Sequence, residues 1–101
     1  MKVATNKSSK TPRTPFKTDM IYLVNVSMAQ KFIKANQWED AGNAYLQAAI
    51  LAENNLKEFD KASNCYLESA NCYRATLSEK AYQCFRKTID VYIKRVDNHL
   101  I

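Results

Sequence analysis

Residues 36–73 read NQWEDAGNAYLQAAILAENNLKEFDKASNCYLESANCY, and they carry one apolar pattern twice. Ala41 is followed by Tyr45, Ala48-Ala49 and Ala52. One unit later, Ala62 is followed by Tyr66, Ser69-Ala70 and Tyr73. Offsets of +4, +7, +8 and +11 fall on one face of an α-helix, because 3.6 residues per turn brings them into a single stripe. Small residues at the anchor and at +7/+8 let a neighbouring helix approach, and the aromatic at +4 supplies contact area. The stretch is a helical repeat.

The pattern extends both ways. Forward, Ala81 is followed by Phe85, Thr88-Ile89 and Tyr92; backward, Ile21 is followed by Asn25, Met28-Ala29 and Phe32. The first unit is degenerate, as a terminal repeat with one unpartnered face tends to be. The spacing predicts four helices over 19–35, 37–53, 56–74 and 77–95. Asn36/Glu39, Asn55/Glu58 and Thr76/Glu79 each have the spacing of a capping box at a helix start. The expected fold is all-α, an antiparallel helix-hairpin array of the tetratricopeptide-like α-solenoid type. Its repeat is near 40 residues rather than 34. Gly42 lies inside a helix, where it costs about 1 kcal/mol relative to Ala, so a close helix approach is expected there.

A chain of 101 residues makes one domain with a modest core. Residues 1–18, MKVATNKSSKTPRTPFKT, hold five Lys/Arg and no acid, which equals the whole net charge of +5. They read as a basic tail too polar to order itself, with the helical domain at 19–101 as the N-terminal part of a longer solenoid. The remainder is charge-balanced, which argues against a nucleic-acid-binding face. No run approaches the ~18–20 apolar residues of a membrane span, and the N-terminus lacks the apolar core of a secretory signal; a cytoplasmic location is expected.

No catalytic or cofactor motif is present, and no metal site is indicated: His99 is the sole histidine and no CxxC occurs. Cys65, Cys72 and Cys84 fall on predicted helices and read as buried structural thiols. Trp38, Tyr45, Phe59, Tyr66, Tyr73, Phe85 and Tyr92 fall on repeat offsets or at helix starts, which makes them core rather than a base-stacking platform.

QWEDAGNAYLQAA, then DKASNCYLESANCY, then EKAYQCFRKTIDVY together resemble the soluble NSF attachment protein (SNAP) family, most nearly its alpha-type members, over about residues 20–93. The likeness includes Phe32, Ala35 and Trp38 ahead of the AGNA element. It implies an adaptor that binds the assembled SNARE bundle (syntaxin-type) along a basic concave face and recruits the NSF ATPase in vesicle fusion and intracellular transport. The family's NSF contacts lie in C-terminal helices that these residues do not reach. Arg74 falls where the family carries a Lys pair; Ala75 replaces its second member. Lys34 and Lys94 are further SNARE-facing candidates. The family's apolar membrane loop does not align, which leaves Phe16, Met20 and Ile21 as membrane-proximal candidates for a weak peripheral attachment. The rival expectation is a generic tetratricopeptide-like scaffold that holds a peptide in its groove.

Overall fold

The computed structural model describes residues 13–100, with side chains from 17 to 97. Four helices follow in order: α1 Arg13–Lys34, α2 Trp38–Leu51, α3 Phe59–Ala75 and α4 Lys80–Leu100. Helix α2 runs on into a π turn at Ala52–Leu56. No strand occurs among the described residues. Each helix packs antiparallel against the next, and alternate helices meet across the array. Tyr22 on α1 reaches Cys65 on α3 (3.6 Å), while Glu39 and Glu53 on α2 reach α4. The odd helices therefore form one layer and the even helices the other, as in a helix-hairpin solenoid.

The core follows the doubled pattern. Ala41, Tyr45, Ala48, Ala49 and Ala52 are buried on α2, and Ala62, Tyr66, Ser69, Ala70 and Tyr73 on α3. Alanines dominate the contact, so the helices come close. At Gly42 the approach is closest: a Cβ there would lie 2.7 Å from Tyr73 Cε1. Ser69 uses the same gap to donate a 2.7 Å hydrogen bond to the Gly42 carbonyl. The cost of glycine in a helix is thus offset by a ring and a hydroxyl that need its missing side chain.

Four details depart from the sequence reading. Helix α1 begins at Arg13, six residues before the expected helix start at 19, because Pro15 falls in the first turn, where a missing N–H is harmless. Residues 1–12 of the expected tail lie outside the described residues. The buried stripe of α1 is also rotated from the expected one. Thr18 and Ala29 are buried, with Tyr22, Val26 and Ile33 partly so, while Ile21 and Met28 are exposed. The aromatic at +4 of this unit is Tyr22 from Thr18.

The third correction concerns the caps. No side-chain cap is made at Gln37 before α2 or at Glu58 before α3. Asn36, Lys57 and Leu77 instead adopt φ of 61°, 57° and 59° and close the preceding helices in the left-handed conformation. After α1, Gln37 N–H bonds the Phe32 carbonyl (2.8 Å) and Asn36 N–H that of Ile33 (2.9 Å); after α3, Ser78 and Leu77 repeat this on Tyr73 and Arg74. These are Schellman closures. Ser78 accepts from Lys80 N–H (3.2 Å) at the start of α4, the role expected of Thr76. Lastly, Ile89 and Tyr92 on α4 are exposed and Val91 takes the buried position. Among the described residues α4 packs against the α2–α3 side, and Ile89 and Tyr92 face away from it.

Candidate partner-binding surface

Polar chemistry in this molecule gathers at the two rims where helices turn. One rim holds the ends of α1 and α3 and the starts of α2 and α4. Lys31 and Lys34 lie in the last turn of α1 and Arg74 in the last turn of α3, where cations also complement the helix dipole. Lys34 and Arg74 are exposed, and among the described residues no ion pair engages them. Asp40 and Glu79 share the rim. Glu39 is held there by Lys80 (3.2 Å) and by the Thr76 hydroxyl (3.2 Å), a tie between α2, α3 and α4.

The opposite rim is built on Glu53, a carboxylate only 3% exposed. The π turn widens the helix by one residue per turn and points Glu53 inward. Tyr66 donates to Oε1 at 2.8 Å, Lys94 to Oε2 at 2.5 Å, and Lys87 to both at 3.3 and 3.4 Å. Burial opposes the charge of Glu53, but the hydrogen bonds from Lys94, Tyr66 and Lys87 outweigh it and hold the carboxyl below its ordinary range. Arg95 adds a 2.8 Å bond to Asp60 at the start of α3. The cluster ties the end of α2 to α3 and α4. A buried charge left alone would be costly, and with three donors it fixes how the layers sit.

The sequence candidates therefore separate. Lys34 and Arg74 come to one rim. Lys94 lies on the other, its charge balanced by Glu53. Met20 and Ile21 are exposed on the outer side of α1, beside Leu23, Val24 and Met28. Phe16 lies in the first turn of α1 and its side chain falls outside the described residues, as does that of His99. Glu53, Lys87 and the pairing of Lys94 with Glu53 escaped the sequence reading.

The three thiols are buried, and burial raises the pKa of each, so they stay protonated and inert near neutrality. Burial pushes Tyr73 up to about 12. Among the described residues no cluster of His, Cys, Asp and Glu is placed to hold a metal, and no helix is long and apolar enough to cross a membrane.

Helix pairs in two layers, tied across alternate helices, define a helical-repeat protein. The family model for soluble NSF attachment protein, SNAP, matches residues 24–98, and the chain belongs to that family. Human alpha-soluble NSF attachment protein is 31% identical over 64 residues, covering 63% of this chain and 21% of the relative. Bovine beta-soluble NSF attachment protein is 33% identical over the same shares. The chain thus spans about a fifth of the length of these curated relatives. No solved structure matches it.

Proposed function

We propose that the chain supplies helical-repeat surface to a SNAP-type adaptor, which binds assembled SNARE complexes and serves the NSF ATPase in their disassembly, without catalysing a reaction itself. Family membership carries this reading. The rim with Lys34 and Arg74 supports it: two exposed, unpaired cations on parallel helices suit the carboxylates of an acidic helical bundle. Lys94 contributes less, since Glu53 already balances it. The reading includes a cytoplasmic site and a weak membrane contact, in which Met20 and Ile21 meet lipid while the basic N-terminal residues meet anionic headgroups, at about 1 kcal/mol per cation. NSF recruitment belongs to regions the relatives have beyond the matched share.

The test is capture of an assembled SNARE complex by the chain at low and high salt. Capture at low salt, weakened by Lys34→Glu with Arg74→Glu and by added salt, is the expected result. Capture unchanged by the double variant would place the contact elsewhere; no capture at either salt would remove the reading for these residues.

A further inference from the structure

Both prolines of the chain follow a threonine, in Thr11-Pro12-Arg13-Thr14-Pro15-Phe16-Lys17. Proline has no N–H, so a groove that binds an extended chain can enclose it in an apolar pocket without supplying an acceptor. Any other residue at that place would bury an unpaired donor, at a cost of kcal/mol order. A cation two residues beyond the proline then reaches an anionic group past the pocket. Thr-Pro-x-Lys is therefore the pattern that a proline-directed protein kinase recognises, and Thr14 to Lys17 matches it in full. Thr11 has the proline but Thr14 in place of the cation. The fold leaves the stretch easy to extend. Thr14 lies in the first turn of α1, and a following proline disfavours the helical conformation for the residue before it. The first-turn N–H groups have no partner within the helix. Helix α1 is held further on, by buried Thr18 and Ala29 and by Tyr22 and Val26 against the core, while Lys17 is exposed. Unwinding residues 13–17 thus gives up one helical turn and none of these contacts.

We propose that Thr14 is the acceptor of a proline-directed protein kinase, and that its phosphate loosens the hold of the basic N-terminal residues on anionic lipid headgroups. ATP is the phosphoryl donor. The Thr14 hydroxyl oxygen bonds the γ-phosphorus as the bond from that phosphorus to the bridging oxygen breaks; ADP leaves, and the hydroxyl proton passes to the base of the kinase. Phosphothreonine carries a charge of about −2 near neutrality. Residues 1–18 hold +5 with no acid of their own, so one phosphate lowers them to about +3. It also stands one residue from Arg13 and three from Lys17, where it competes with lipid for both cations. The regulatory half of the proposal rests on the membrane contact proposed above. The acceptor site does not.

The experiment incubates the full chain with a proline-directed kinase and magnesium ATP, locates phosphate by peptide mass spectrometry, and measures co-sedimentation with phosphatidylserine-containing vesicles. Far-UV circular dichroism is the folding control. Phosphate at Thr14 is expected, with incorporation there cut at least about tenfold by Pro15→Ala and severalfold by Lys17→Ala, helicity unchanged. The phosphorylated chain should bind the vesicles at least about tenfold more weakly than the unmodified one, as two neutralised cations predict. Thr14→Ala treated with the same kinase should bind as the unmodified chain does. No phosphate at Thr14, phosphate at Thr11 in its stead, or incorporation indifferent to Pro15→Ala overturns the acceptor site. Vesicle binding that phosphorylation at Thr14 leaves unchanged overturns the regulatory half. An unmodified chain that does not bind the vesicles overturns the membrane contact and its regulation together, with the acceptor site decided by the mass spectrum alone.

Discussion

Helices α2 and α3 differ from α1 and α4 less in sequence than in what surrounds them. The same offsets recur in the middle and at the far end, yet Tyr66 is 2% exposed and Tyr92, at the +11 position of the last unit, 53%. The middle helices are covered on two sides, so every residue on their stripes is enclosed. Among the described residues α1 and α4 are covered on one side, and both expose large apolar residues. In a solenoid, burial is decided by the number of neighbours, while the sequence pattern sets only which face can be buried.

The sharpest way to break this comparison is to remove one aromatic from each region. Tyr66→Ala empties an enclosed site and deprives Glu53 of a donor, so a loss of about 3–5 kcal/mol is expected. Tyr92→Ala on the outer helix should cost under about 1 kcal/mol. Urea midpoints of the two variants measure the difference. Equal losses would mean that α4 is as enclosed as α3.

Next comes the charge cluster that joins the two regions. Lys87→Met with Lys94→Met strands Glu53 without an ammonium, and a buried charge stripped of its partners costs about 3–5 kcal/mol. Adding Glu53→Met should recover most of that loss, which a purely steric defect would not allow. The sign of the pH dependence follows from the depressed carboxyl of Glu53. Its contribution is present in full above the ordinary value of 4.5 and fades as pH falls through the lower folded value. Thermal midpoints should therefore drop in acid below that pH, and more for the native chain than for the triple variant.

Gly42→Ala probes the closest approach within the central pair. Helix propensity favours Ala by about 1 kcal/mol, but the new methyl meets the fully buried Tyr73 ring, whose hydroxyl is held by Asn43. Overpacking of this kind costs about 1–3 kcal/mol. A net loss near 1 kcal/mol is expected by denaturation, and a gain would show that the ring yields freely.

Legibility in the sequence follows the same divide. On α2 and α3 the offsets were read correctly, because a stripe enclosed on both sides tolerates only small and aromatic residues at fixed positions. On α1 the reading was turned to Ile21 and Met28, since apolar residues surround that helix and periodicity alone does not choose among them. The fold class was legible from the period, and the Lys34 and Arg74 candidates came from the family resemblance. Glu53 was not legible: nothing in its neighbourhood announces a π turn, and its lysines lie 34 and 41 residues away. The helix boundaries differ because Asn36 and Thr76 have the spacing of starting signals. The backbone uses both at helix ends.

Those ends give the smallest effect and a direct test of how the turns are made. The chain has one glycine, and it lies at position 42, so the left-handed residues that close α1, the π turn and α3 are Asn36, Lys57 and Leu77. A side chain in this conformation brings Cβ against the following carbonyl at about 1 kcal/mol or more, and Asn bears it best. Leu77 has nothing to compensate, since its side chain is 90% exposed. Leu77→Gly should remove the strain and raise stability by about 1 kcal/mol, less whatever entropy glycine gains in the unfolded chain. Asn36→Gly should change it by only a few tenths. Chemical denaturation of the two variants side by side tests the ranking: a larger gain at Asn36, or a loss at Leu77, would mean that the exposed leucine makes a contact worth more than its strain.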